Sequence, residues 1–254
     1  MKITFDSNTW RKIATPQNFP KDPLTEIYFK INQSIKSGKI EAYLSETIFT
    51  LEAIKRVERK DFFKKYTPKK TYNISEKDDI VNISSSIAPN PELHPGNNEF
   101  LNEHLNDALN IGFKVVNIPR IGTATNPDLE GKKINLENSD FEKMAQVSGR
   151  IEELKAGLYD ITKIGEKYYP HSWFIGVGKA PDSENHQIAS AVAEWADGDS
   201  VAVHIALNGD YFCTNDNAKK AGSNSVLSQK NTEILNNEFN FKKISPLELS
   251  ELIK

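Results

Sequence analysis

Four stretches of this chain place carboxylates where an alternating α/β fold would gather them. Asp6 follows KITF, Asp216 follows YFCTN, and Glu52 comes shortly after IEAYL. A further acid comes from AEWADGDS, where Asp197 and Asp199 stand at the expected entry to a helix. In an open parallel sheet, sites form beyond the carboxyl ends of the strands. Carboxylates brought together there repel one another and are costly to bury unless a cation compensates. Oxygen-only ligation of this kind suits a hard divalent ion, Mg²⁺ or Mn²⁺. The first expectation is therefore a metal site held by Asp6, Glu52, Asp197 or Asp199, and Asp216.

The elements that would position these acids are legible from periodicity. A short strand is predicted over residues 2–5, ending at Asp6. Leu24, Ile27, Tyr28, Ile31 and Ile35 recur at helical spacing over 24–36, and Gly38 sits where a helix would be capped. A strand over 40–44 precedes Ser45, a helix-capping residue type, and a helix expected from 46 to about 66, before Pro68. Residues 67–140 are rich in Pro, Asn, Ser and Gly. The strand predicted there spans 113–118, after a helix carrying Phe100, Leu101, Leu105, Ala108 and Leu109. Helices are expected over 141–164, 184–196, 201–207 and 230–236, with strands at 211–214 and 241–244. Strands alternating with helices imply a parallel sheet with helices on both faces, an α/β fold.

Composition narrows the setting. The 254 residues suffice for a sizeable core, and the net charge of −3 argues against a wholly basic nucleic-acid coat. The charge is uneven: residues 55–70 (KRVERKDFFKKYTPKK) are strongly basic, which leaves the remainder acidic. One cysteine, Cys213, permits no intramolecular disulfide, and the N-terminus meets an acid too early for a signal peptide. With no long apolar run, the expectation is a cytoplasmic protein with no membrane contact.

Asp6-Ser7-Asn8 after a first strand resembles the opening of PIN-domain nucleases. Ser45 followed by Glu52 is similar to the second signature of that family. Asp197/Asp199 with Thr214-Asn215-Asp216 resembles the third and fourth, and the C-terminal tail is also similar. The resemblance covers about residues 1–60 and 185–254. It implies one PIN-like domain with its core in 1–66 and 185–254 and an insertion of about 67–184, because most PIN domains are around half this length. It also implies Mg²⁺- or Mn²⁺-dependent hydrolysis of single-stranded RNA. Asp6, Glu52, Asp199 and Asp216 would form the site, with Asn8 and Thr214 orienting acids or water. Asp199 is preferred because Asp197 can then cap the helix. Glu52 is preferred over Glu46 because it shares the inward face with Ile48. The family often dimerises. The resemblance is compatible with a toxin that has an antitoxin-like partner, a processing enzyme or a defence component.

Two rival readings stand beside it. FDSNT also resembles the Asp-x-Asp-x-Thr opening of haloacid-dehalogenase-like phosphatases, in which Asp6 would be the nucleophile; Asn8, however, replaces the second Asp. A non-catalytic PIN-like module that binds RNA or a partner is the other. The basic run offers Arg56, Arg59, Lys60 and Lys64 as phosphate contacts, with a solvated helix face as the plain alternative. Phe62, Phe63 and Tyr66 suit base stacking or core packing. The aromatic run at 168–174 and His204 read as packed residues, and Cys213 as core.

Overall fold

The computed structural model describes residues 1–65, 69–77, 80–88, 90–118, 125–216 and 224–253. Tyr66 and the NAKKAG stretch after Asp216 lie outside the described residues.

A six-stranded parallel sheet organises the chain. Its strands are β1 (Lys2–Phe5), β2 (Glu41–Ser45), β5 (Phe113–Val116), β6 (Lys133–Ile134), β7 (Tyr211–Cys213) and β8 (Lys243–Ile244), in the order β6-β5-β2-β1-β7-β8. Ile3 lies opposite both Ala42 and Tyr211, so β1 is central. Alternation along each strand feeds both faces. Ile3, Phe5, Ala42, Leu44, Phe113, Val115 and Cys213 pack under α1 (Trp10–Ala14), α2 (Thr25–Lys36), α5 (Glu99–Ile111) and α11 (Pro246–Leu252). Tyr43, Val116 and Phe212 face α6 (Asn138–Glu153), α9 (Asn185–Ala206) and α10 (Gln229–Phe239). Coverage of both faces is what an all-parallel sheet requires. No helix among the described residues is long and apolar enough to cross a membrane.

From β1 the chain winds outward through β2, β5 and β6. It then returns along α6, α7 (Tyr159–Tyr168), α8 (Trp173–Lys179) and α9 to enter β7 on the other side of β1. The winding direction reverses between β1 and β7, and a crevice forms outside the carboxyl ends of strands at such a reversal. Asp6 and Thr214 lie on its two sides.

Several expected elements are divided or joined differently. The helix expected over 46–66 is broken into α3 (Thr47–Thr50), a 3₁₀ turn at Arg56–Glu58 and α4 (Arg59–Lys65), which leaves Glu52 in the intervening turn. The helix expected over 141–164 splits into α6 and α7, where Lys155 and Gly157 take positive φ of 61°. Conversely, the helices expected at 184–196 and 201–207 are one 22-residue helix, α9, that runs straight through ADGDS. Gly198 is therefore a packing residue: a Cβ there would meet the Gly157 Cα at 2.8 Å.

The expected insertion 67–184 also needs correcting, because β5 and β6 within it pair into the main sheet. What stands outside that sheet is different. An antiparallel ribbon of β3 (Lys69–Lys77) and β4 (Ile80–Ala88) was not anticipated. A third apolar cluster joins Leu51, Phe62, Phe63, Ile161, Val177, Val192 and Trp195 across α4, α7, α8 and α9. Phe62 and Phe63 are thus core residues, and Trp173 packs edge-on against Trp195.

Gly198→Ala should destabilise the fold by ~1–3 kcal/mol through overpacking. Gly149→Ala, in α6 with nothing within 4 Å of the added Cβ, should stabilise it by up to ~1 kcal/mol. Urea denaturation checks both, and equal effects would remove the packing role of Gly198.

Candidate active site

β1 delivers Asp6 to the crevice, and its carboxylate is enclosed, 3% exposed. Three groups donate to it. The Ser7 N–H reaches Oδ1 at 2.6 Å, while Asn8 Nδ2 and the Thr214 hydroxyl reach Oδ2 at 2.7 and 2.5 Å. The Thr214 hydroxyl in turn accepts from Asn8 Nδ2 at 3.1 Å and from the Asp216 N–H at 2.8 Å. Asn8 Oδ1 accepts the Asn215 N–H at 3.0 Å, which fixes the amide orientation. Asp6, Asn8 and Thr214 thus form one network across the β1–β7 reversal, and Asp216 is held one hydroxyl away from Asp6.

The remaining acids arrive from helices. Asp197 lies midway along α9 and feels the negative charges of Asp6, Glu52, Glu194 and Asp216. Burial is the larger cause, and the two together raise its pKa well above the ordinary value. Glu52 is pushed up to about 7, first by burial and then by Asp6; a hydrogen bond with the Ser7 side chain and the charges of Arg59 and Arg11 pull it back. Asp6 is raised mainly by burial and further by Asp216, against the hydrogen bonds from Thr214 and Ser7.

The structure corrects the preference for Asp199. Because α9 is continuous, Asp197 caps nothing. Asp199, buried, lies about 200° further round the helix and so points away from the face that Asp197 presents. Glu46 is committed elsewhere: one oxygen accepts the Ile118 N–H at 3.0 Å, and the other pairs with Lys133 at 2.7 Å.

The proposed phosphate contacts also divide. Arg59 is buried, 4% exposed, and donates to the carbonyls of Ala189, Ile54 and Glu52 at 2.5, 3.2 and 3.4 Å. It satisfies backbone left open where the helix breaks, and so holds the turn that carries Glu52. Lys60 is buried as well and pairs with Asp182. Neither reaches a ligand from that position. Lys64 is exposed on α4, and Arg56 is exposed and lines a cleft of about 650 Å³ with Asp197 and Asp216.

Glu194 escaped the sequence reading. It lies three residues before Asp197, hence on the same helix face, and a continuous α9 would have revealed it. Its Oε1 accepts the N–H groups of Val226 at 2.7 Å and Gly157 at 3.3 Å, and burial pushes it up to about 7.

Among the described residues, no group of three or more His, Cys, Asp or Glu side chains is already arranged to hold a metal ion. Mg²⁺, however, usually keeps several waters and uses one or two protein carboxylates. An all-oxygen donor set, partly buried and mutually repelling, fits that mode of binding in its chemistry.

Comparisons with models of protein families, with curated proteins and with solved structures gave no match. Fold and site alone therefore define the class: a doubly wound α/β protein with a partly buried acidic cluster at its switch point, in which Asp6 is the enclosed member.

Two measurements probe this geometry. Thr214→Val leaves the Asp216 N–H and an Asn8 donor without their acceptor, and should cost ~1–3 kcal/mol in urea denaturation. Thr214→Ser should restore most of it; failure of Ser to rescue would mean the hydroxyl is not the tie. The second measurement is the pH dependence of metal-free stability. Between the ordinary carboxylate range and about 7, folded Glu52 keeps a proton that the unfolded chain releases. Stability should therefore fall as pH rises through that window, and Asp197 acts in the same direction. Ion-paired acids such as Asp22 and Glu41 have lowered pKa values and act below it. Glu194 adds to this fall, while His94, His104 and His204, whose pKa values burial lowers, oppose it. The readout is therefore the difference between variants, and from pH 5.5 to 8 Glu52→Gln should lose less melting temperature than the wild type. An unchanged slope would remove Glu52 from the cluster.

Proposed function

We propose that this chain is a PIN-like ribonuclease, hydrolysing phosphodiester bonds of single-stranded RNA with Mg²⁺ or Mn²⁺. The observation that carries the reading is the meeting of Asp6, Glu52, Asp197 and Asp216 at the β1–β7 reversal, with electrostatic coupling among them. These are the positions at which the sequence resembles the nuclease family, with Asp197 taken as the third acid. A bound divalent ion would supply Lewis-acid stabilisation of the phosphate and a water of lowered pKa.

The chain's own groups have distinct tasks in this reading. Asp6, Glu52, Asp197 and Asp216 present negative oxygens to the cation, directly or through water. Asn8 and Thr214 set the direction of the Asp6 carboxylate by donating to the same oxygen. Arg59 fixes the Glu52 turn through its backbone carbonyl. No side chain is required as a covalent nucleophile. Asn8 spends its amide on Asp6 and Thr214, so it supplies no acid of the kind the phosphatase route needs.

Asp6→Asn and Asp197→Asn should each lower Mn²⁺-dependent cleavage of single-stranded RNA at least 100-fold. Both should also lose the rise in melting temperature that Mn²⁺ gives the wild type, which corresponds to about 2.7 kcal/mol at 100 times Kd. Without metal Asp197→Asn should melt at or above the wild-type temperature, because a repelling charge is gone. Asp6→Asn should instead melt below it, because one side-chain oxygen that accepts from Ser7 or from Asn8 and Thr214 becomes a donor. Asp199→Asn should keep the Mn²⁺ response. Retention of that response by Asp6→Asn, or its loss only in Asp199→Asn, would overturn the assignment.

A further inference from the structure

The cleft beside the acids also carries cations, Arg56 from the basic run and Lys163, which the sequence did not single out. Its lining includes Asp197, Asp216, Glu194 and Asp160 together with Arg56, Lys163, His186, Gln187 and Ser190. Its far side comes from α7 and from the N-terminal half of α9. Those elements are held against the body by the third apolar cluster, with Ile161 and Ile188 fully buried in it. The wall is therefore a fixed part of the molecule.

Arg56 stands at the 3₁₀ turn that follows Glu52, and its Nη2 donates to Ser190 Oγ at 3.2 Å. That hydroxyl is on the helix face that carries Glu194 one turn on and Asp197 beyond it. Arg56 is exposed, so most of its guanidinium donors remain available. Lys163, exposed on α7, pairs with Glu166 at 2.7 Å and lies over the Tyr159 ring. An exposed pair of this kind is weak and is readily exchanged for a phosphate. Of the cations that the basic run offered on α4, Arg59 and Lys60 are spent internally, and Lys64 is exposed but is not part of the cleft lining.

We propose that Arg56 and Lys163 form a phosphate subsite for a single-stranded nucleic acid whose neighbouring phosphate lies at the acidic cluster. This rests on the hydrolytic reading of that cluster and names how its substrate is gripped. A cleft of about 650 Å³ is the size of a small-molecule site, with room for roughly one or two nucleotides and none for a duplex. Its lining also carries the Gln187 amide and the Ser190 hydroxyl, polar groups for the sugar and base between the two phosphates. The strand would thus run across α9 and α7, away from α4.

The test measures binding of a fluorescein-labelled single-stranded RNA octamer in EDTA, by anisotropy over a range of salt. Three proteins are compared: the wild type, Arg56→Gln/Lys163→Gln, and Lys36→Gln/Lys242→Gln. The last pair are exposed lysines next to the amino ends of β2 and β8, at the opposite edge of the sheet. Losing two phosphate contacts should lower the log K against log salt slope by about 1.4 and weaken binding at least tenfold. The Lys36/Lys242 variant should match the wild type. Melting temperatures establish that each variant is folded, which surface substitutions of this kind permit. An unchanged slope in the Arg56/Lys163 variant, an equal loss in the Lys36/Lys242 variant, or no binding by the wild type overturns the subsite. Cleavage of a small chromogenic phosphodiester by the wild type in Mn²⁺ is measured alongside. If the wild type leaves it intact while the slope still falls, the hydrolytic reading fails and the subsite stands.

Discussion

The Thr214 hydroxyl has one proton to give and two lone pairs to fill, and all three are used at the join of β1 and β7. It donates to Asp6 and accepts from Asn8 and from the Asp216 backbone. A hydroxyl satisfied in this way inside a protein ties its partners rigidly, because any shift leaves a buried polar group unpaired. The tie joins two strands that lie more than 200 residues apart in sequence. It lies where the winding of the sheet reverses, so the two edges of the crevice are held at one spacing. Asp6 cannot turn away, and Asp216 cannot leave, without breaking it.

Around that tie the structure accumulates negative charge. Burial raises the pKa values of Asp6, Glu52, Asp197 and Glu194, and in the first three the neighbouring acids add to the rise. A fold that gathers charge in this way stores repulsion that a cation would relieve. Within the chain the relief comes from Arg59 and Arg11, whose charges favour ionised Glu52. Arg59 serves twice, since its guanidinium also closes the carbonyls of the broken helix. One buried residue thereby holds the turn of a site carboxylate and opposes the rise of its pKa.

The elements between β6 and β7 give the site its depth. Leu51, Phe62, Phe63, Ile161 and Trp195 make a core separate from the two on the faces of the sheet. It fixes α7 against α9, and residues of both helices line the cleft beside Asp197 and Asp216. Gly157 and Gly198 let the α6–α7 turn touch α9 directly, so Asp197 and Glu194 are carried along one straight helix face.

By itself the sequence determined the alternating α/β rhythm and the strand-end placement of Asp6 and Thr214. These depend on local periodicity and on residues adjacent to a strand, which a single chain displays directly. It also marked Cys213, Phe62 and Phe63 as packing residues, since each belongs to an apolar pattern. Only the tertiary structure decided between Asp197 and Asp199. That choice turns on whether α9 breaks at Gly198, and the contact with Gly157 that lets it continue joins segments about 40 residues apart. The same holds for Arg59 and Lys60. Their charge reads as surface in a linear sequence, yet Arg59 finds its partner carbonyls at Ala189, Ile54 and Glu52, and Lys60 finds Asp182. Arg56 was offered by the basic run, but its neighbours Lys163 and His186 in the cleft were invisible for the same physical reason: they share no element with it, and packing of α7 against α9 brings them together.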